Sequence, residues 1–272
     1  MSKNWTLGFV GAGVMAETML SGALGKGLLP SEAILASDPN SQRREHLSRE
    51  YGVQVFEDNL EVLERADLVV LGVKPQSLPR LLPSLSGRIP EGTQVLSIVA
   101  GASIASLQSA LGHSRVARAM PNLPCRVHCG TTVWTGAAGE AGERVRAVLA
   151  CMGDAIEVDQ EQHIDRATAV NGTGPAIIAE FVKAFMEAAT YIGEPRELAR
   201  ASVLSTLKGT VEMIAQSEDH VAQLVDEVTS PGGTTSRALQ VLKKGRMAAV
   251  VTDSVDAAYQ RTLELGRGVP TK

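Results

Sequence analysis

Apolar positions along this chain follow two rhythms. Up to about residue 158, short apolar runs alternate with longer amphipathic stretches. Leu7 to Val10 and Ile34 to Ser37 read as strands, followed by helical stretches at Met15 to Leu24 and Gln42 to Tyr51. Val53 to Phe56 reads as a third strand, and Asn59 as the cap of a helix ending near Ala66. Leu68 to Val73 and Val95 to Val99 are continuously apolar, as expected of strands covered on both faces. Ile104 to Leu111 is helical and Arg115 to Met120 a strand. Thr131 to Trp134 and Ala155 to Val158 close the series around a helix at Gly142 to Met152. Such alternation predicts right-handed βαβ crossovers and a doubly wound parallel sheet.

After about Asp159 the strand signals stop. Helical patterns run over Pro175 to Ile192, Pro195 to Ser217, Thr234 to Lys244 and Met247 to Leu265. Pro175 and Pro195 suit first-turn positions, where a missing amide costs nothing. Glu180 to Ala189 is apolar on more than one face, which suits a helix packed against a second subunit as well as its own domain.

Composition narrows the class. Hydrophobic residues make up 44 % of the 272 positions but aromatics only 3 %, so the core must rest on Ala, Val, Leu and Ile. The net charge is −4 with both signs interspersed, and no basic stripe suggests a nucleic-acid partner. No apolar run reaches the roughly 18 residues needed to span a bilayer. The first residues, Met1-Ser2-Lys3-Asn4-Trp5, lead directly into a strand and do not read as a signal peptide. The three cysteines, Cys125, Cys129 and Cys151, suit a reducing, cytoplasmic setting and read as buried thiols. Cys125, His128 and Cys129 have no zinc-like spacing, and no metal is expected.

Two segments carry the chemistry. Gly11-Ala12-Gly13-Val14-Met15-Ala16 follows a strand and opens a helix. Gly11 permits the tight turn, Gly13 lets backbone approach a pyrophosphate, and Ala16 allows close helix–sheet packing. This context predicts a Rossmann dinucleotide-binding domain over residues 1–159, with an all-helical domain over 160–272. At the tip of the second strand, Asp38 could bond a ribose 2′-hydroxyl and favour NAD. Ser37 with Arg43 or Arg44 could instead hold a 2′-phosphate and favour NADP. Val73-Lys74-Pro75, Ala100 and Asn122 lie at carboxyl ends of predicted strands, where such sheets bind ligands. The other segment is Ser230-Pro231-Gly232-Gly233-Thr234-Thr235-Ser236, just before a helix. Successive amides there can form a nest for a small carboxylate, assisted by roughly half a positive charge from the helix dipole.

In this order, Gly11 to Ala16, Asn59, Val73-Lys74-Pro75, Arg118 to Asn122, Gly172-Thr173-Gly174-Pro175-Ala176 and Ser230 to Thr235 resemble the pyrroline-5-carboxylate reductase family over nearly the whole chain. The resemblance implies reduction of the cyclic imine 1-pyrroline-5-carboxylate to proline by NAD(P)H, most often NADPH with NADH as the alternative. It implies interlocked dimers that commonly build decamers. It also implies cofactor contacts at the glycine loop, Ser37, Asn59, Val73, Lys74 and Ala100, and a substrate carboxylate clamp at Ser230, Gly233, Thr234 and Thr235. Thr235 would bond the ring nitrogen, with the acid Glu218 nearby. The chain departs from the family at Asn171 and Thr173, where serine is usual, at Ile177, near an aromatic, and at Glu227, often asparagine. Asn171 and Ile177 leave open a paralogue acting on another cyclic imine.

Two other readings compete. A 3-hydroxyacid dehydrogenase of related architecture needs a catalytic lysine soon after a glycine turn, and Lys183 comes too late after Gly174. A non-catalytic dinucleotide sensor would not need the Thr235 clamp.

Overall fold

The computed structural model describes residues 5–266. The expectation of no signal peptide rests on residues 1–5, of which 1–4 lie outside the described residues. Among the described residues, one compact unit comprises 5–173 together with 257–266; the other is Gly174–Asp256.

The first unit alternates β1 (Leu7–Val10), α1 (Val14–Gly25), β2 (Ile34–Ser37), α2 (Ser41–Tyr51), β3 (Gln54–Phe56), α3 (Asn59–Leu63), β4 (Leu68–Leu71), α4 (Leu78–Leu85), β5 (Gln94–Ser97), α5 (Ile104–Leu111) and β6 (Val116–Met120). It continues with β7 (Gly130–Thr135), α6 (Gly139–Ala150), β8 (Gly153–Glu157) and α7 (Gln162–Ala167). The strands form one sheet ordered β3-β2-β1-β4-β5-β6-β7-β8, the doubly wound order expected. The sheet is not wholly parallel: β7 pairs antiparallel to β6 and parallel to β8. A 3-10 turn at Leu123–Val127 and a left-handed His128 (φ 56°) reverse the chain between them.

Both faces of the sheet are covered, which is why the central strands are continuously apolar. Leu7, Phe9, Leu68, Val70 and Leu96 join one buried cluster with Met19 and Leu20 of α1 and Val145 and Leu149 of α6. Their neighbours Val10, Val69, Leu71 and Val95 join the other, with Leu78, Leu82 and Leu107. Helix α4 has no counterpart in the pattern reading, because Pro79 and Pro83 obscure it. Pro79 falls in the first turn, and Leu78, Leu82 and Leu85 still share one buried face. The cap of α3 is Asp58, which accepts from the Leu60 amide at 3.0 Å; Asn59 is the first helical residue.

Helix α7 and the π turn at Thr168–Gly172 hold to the sheet by polar contacts. Arg118 on β6 is buried and donates to Glu161 at 3.0 Å and Asp165 at 2.7 Å. Glu161 also accepts from the Ile104 amide at 2.8 Å. The two carboxylates are 29 % and 28 % exposed, so solvent screens them in part. Arg118→Ala should therefore destabilise the unit by about 2–3 kcal/mol, below the value for a fully buried pair. An unchanged urea midpoint would show that α7 is held without this arginine.

The second unit holds α8 (Gly174–Tyr191), α9 (Arg196–Gln216), α10 (Val221–Glu227), α11 (Thr234–Lys244) and the start of α12 (Met247–Gly266). Pro195 precedes α9 as its N-cap instead of entering the first turn. Few of its side chains are buried: Ala199 and Val203 on α9 and Leu224 on α10. Among the described residues, no helix is long and apolar enough to cross a membrane. Cys125 and Cys151 are buried, and burial pushes both thiols up in pKa. Cys129, read as buried, is exposed.

Candidate functional site

The turn between β1 and α1 is built for close approach. Gly11 has φ +89°, and a Cβ there would lie 2.7 Å from Val73 Cγ1. Gly13 differs. Its φ is −67°, which any residue can adopt, and the nearest neighbour of a Cβ would be Gly72 O at 3.8 Å. No packing requirement explains the missing side chain; the space belongs to a cleft. Ala16 supplies the close packing expected of it, its Cβ lying 3.5 Å from where a Cβ on Gly72 would stand.

The cleft, about 480 Å³, lies at the carboxyl ends of the strands and is lined by Gly11, Gly13, Asn59, Val73 and Lys74, all expected cofactor contacts. Asp38, Pro39, Glu57 and Arg80 complete its walls. Arg80 comes from α4, whose only sequence signal is the spacing of Leu78, Leu82 and Leu85 that the two prolines obscure. Val14 is exposed at the first position of α1, while Ala12 is buried beneath the turn and Met15 packs against the core. Pro75 starts a 3-10 turn after β4, and Ala100 lies in the turn after β5.

Two of the expected contacts face inward. Ser37 is fully buried, and its hydroxyl donates to Asn59 Oδ1 at 2.8 Å and lies 3.2 Å from Phe9 O. As the last residue of β2 it points between the layers, and Asp38 takes the tip. Asn122 is likewise committed: its Oδ1 accepts from the Thr131 amide at 3.0 Å, and its Nδ2 donates to Asn171 Oδ1 at 2.6 Å. Asn171 in turn donates to Met120 O at 3.1 Å and Thr131 O at 2.9 Å. The departure at Asn171 thus ties the π turn to β6 and β7.

The back of the glycine turn is braced electrostatically. Arg43 donates to the carbonyls of Ala12 and Gly13 and pairs with Glu17. Glu17 also bonds His46 at 2.8 Å and Tyr51 at 2.9 Å. Burial alone would raise the Glu17 pKa, but hydrogen bonds from His46, Arg43 and Tyr51 outweigh it and hold the carboxyl below its usual value. The same contact and burial raise the Tyr51 pKa, burial most.

The clamp segment lies in the second unit. Gly232 has φ +72°, and the Gly233 amide donates to Ser230 O at 3.0 Å, closing a turn. Gly233 is the N-cap of α11, Thr234 and Thr235 are the first helical residues, and no side chain caps the helix. Ser236 donates back to Gly233 O at 2.9 Å, whereas the hydroxyls of Thr234 and Thr235 have no hydrogen-bond partner among the described residues. The first helical amides therefore present donors alongside two uncommitted hydroxyls, a donor set suited to a small carboxylate. Ser230 is exposed; Glu218 is exposed between α9 and α10, and Glu227 ends α10. Lys183 is paired with Glu180 at 3.2 Å, and that contact raises its pKa, the reverse of what a catalytic lysine needs.

The fold and cleft define a Rossmann-type, dinucleotide-dependent oxidoreductase. The chain belongs to the pyrroline-5-carboxylate reductase family. The family model for pyrroline-5-carboxylate reductase dimerisation matches residues 161–265, and that for coenzyme F420-dependent NADP oxidoreductases matches residues 6–101. The pyrroline-5-carboxylate reductase of Synechocystis sp. is 37 % identical over 266 residues, covering 96 % of this chain and 98 % of the relative. Pyrroline-5-carboxylate reductase 3 of Rattus norvegicus is 36 % identical over 271 residues, covering 98 % of each. The solved structure of Plasmodium falciparum pyrroline carboxylate reductase, with NADP bound, matches with a TM-score of 0.88 at 28 % identity, covering 97 % of this chain and 99 % of that one.

Proposed function

We infer that this chain reduces 1-pyrroline-5-carboxylate to L-proline, the last step of proline biosynthesis, using NAD(P)H. The observation that carries the reading is the clamp: free helix amides beside uncommitted threonine hydroxyls, on a chain with an open dinucleotide cleft. NAD(P)H bound in the cleft would supply hydride to the carbon of the protonated C=N bond. The cleft fits that group, since Gly13 leaves its space empty and α1 directs its first amides there. Lys74 at the cleft wall adds positive charge for the phosphates, and Val73 and Asn59 shape the wall. In the clamp, the amides of Thr234 and Thr235 hold the substrate carboxylate, with Ser230 and Gly233 setting the turn. The Thr235 hydroxyl meets the ring nitrogen as it becomes an amine, and Glu218 adds an acid on the approach. The family resemblance implies NADPH as the usual donor; the charge at the ribose end of the cleft argues for NADH. Consumption of NAD(P)H with 1-pyrroline-5-carboxylate tests the reaction. Cofactor binding without any turnover would sink it.

The helical unit is read as a homodimerisation domain, and dimers as the building block of a decamer. Ile178, Phe181 and Phe185 on α8, Val211 on α9, Val241 on α11 and Val250 on α12 are all exposed in the single chain. An apolar surface of that extent needs a partner. The protein should run as a dimer or larger by light scattering, and a stable, active monomer at dilute concentration would count against this. The three free cysteines support a cytoplasmic setting.

A further inference from the structure

We propose that Asp38 makes this enzyme selective for NADH, because it presents a carboxylate to the adenosine ribose and the structure leaves no uncommitted arginine at the β2 tip to hold a 2′-phosphate. The proposal rests on the reading of the cleft as a dinucleotide site. The tip of the second strand is where such folds meet that ribose, and the cleft wall there is Asp38, Pro39 and Glu57. Asp38 is held in place. Its Oδ2 accepts from the Ala12 amide at 3.0 Å and its Oδ1 from the Asn40 amide at 2.9 Å. Each carboxylate oxygen has about two acceptor sites, so each keeps one for a ribose hydroxyl.

The groups that could instead favour a 2′-phosphate are engaged elsewhere. Ser37 is buried with its hydroxyl committed. The guanidinium of Arg43 is bound to Ala12 O, Gly13 O and Glu17 behind the turn. Arg44 donates to Asp38 O at 2.7 Å, and its charge is matched by Glu57 at 3.0 Å. Arg44 lines a separate surface groove with Ser41, Glu45 and Ser48. The remaining cations of the cleft, Lys74 and Arg80, come from the β4–α4 side. A 2′-phosphate would therefore meet the Asp38 carboxylate, while the paired Arg44 and Glu57 offset each other, and like charges brought together select against the wrong ligand.

The test measures dissociation constants of NADH and NADPH by fluorescence titration of the full-length protein, alongside kcat/KM for each with 1-pyrroline-5-carboxylate. The wild type should favour NADH by about ten- to a hundredfold, in binding and through KM. Asp38→Ser should narrow the ratio at least about tenfold. Asp38→Asn, which removes the charge and keeps an acceptor for the turn, should do the same if the serine variant folds poorly. A wild type that prefers NADPH overturns the proposal, as does an unchanged ratio in a folded Asp38→Asn protein. If Arg80→Gln abolishes a preference for NADPH, Arg80 sets the choice instead. An NADH preference in titration without any turnover would support Asp38 as the selector while refuting the proposed reaction.

Discussion

Gly13→Val is expected to weaken dinucleotide binding more than about a hundredfold while leaving the protein folded. Gly13 tolerates a side chain locally, because its φ of −67° is ordinary and a Cβ would touch nothing closer than 3.8 Å. The added methyls would enter the space where a pyrophosphate meets the first amides of α1. Each charge-assisted hydrogen bond lost there is worth roughly 1.5–3 kcal/mol, and losing two gives the stated factor at about 1.4 kcal/mol per decade. The cost to folding is limited to replacing glycine at an N-cap, which is typically about 1 kcal/mol. Gly11 gives the contrast. Its φ is +89° and its Cβ would lie 2.7 Å from Val73 Cγ1, so Gly11→Val should damage the fold itself. Fluorescence titration with NADH and NADPH, paired with melting curves, separates the two effects. Unchanged affinity in Gly13→Val would remove the glycine turn from the binding site.

The sheet was legible because both of its faces are covered, so buried strands stand out as apolar runs between amphipathic helices. What the pattern does not encode is direction. The reversal at β7 depends on His128 and the turn before it, and nothing in Thr131 to Trp134 distinguishes an antiparallel strand from a parallel one. Helix α4 was hidden because two prolines fall within eight residues, though one occupies the harmless first turn. Roles that depend on distant partners were hidden for another reason. Arg118 meets carboxylates 43 and 47 residues away, and Asn122 meets Asn171 across 49. The glycine turn and the Ser230 to Thr235 turn were legible as turns opening helices because each depends on local backbone geometry, with positive φ at Gly11 and Gly232. Ser37 and Asp38 show the limit: they are adjacent, and only the end of β2 decides which one faces the cleft.

Thr235→Ala is expected to lower turnover on 1-pyrroline-5-carboxylate by about ten- to a hundredfold, with little change in cofactor affinity. Thr235 is the second residue of α11, beside the amides proposed to hold the carboxylate. With the carboxylate anchored there, the ring nitrogen faces a nearby hydroxyl. Hydride addition converts imine to amine, so the hydrogen bond to nitrogen changes strength along the reaction. An interaction that strengthens in the transition state contributes to turnover rather than to binding alone. A hydrogen bond worth roughly 1.5–3 kcal/mol when charge-assisted corresponds to that range, at about 1.4 kcal/mol per decade. The alternative is that Thr235 merely supports the start of the helix. The structure argues against it: the N-cap is Gly233, no side chain caps the helix, and the Thr235 hydroxyl has no partner among the described residues. Alanine should therefore leave the melting temperature nearly unchanged, and Thr235→Ser should retain most activity because the hydroxyl remains. A helix-support role predicts the reverse, lower stability with normal turnover per folded site. Steady-state kinetics and melting curves on both variants decide between them, and wild-type turnover in a folded Thr235→Ala protein would remove Thr235 from the chemistry.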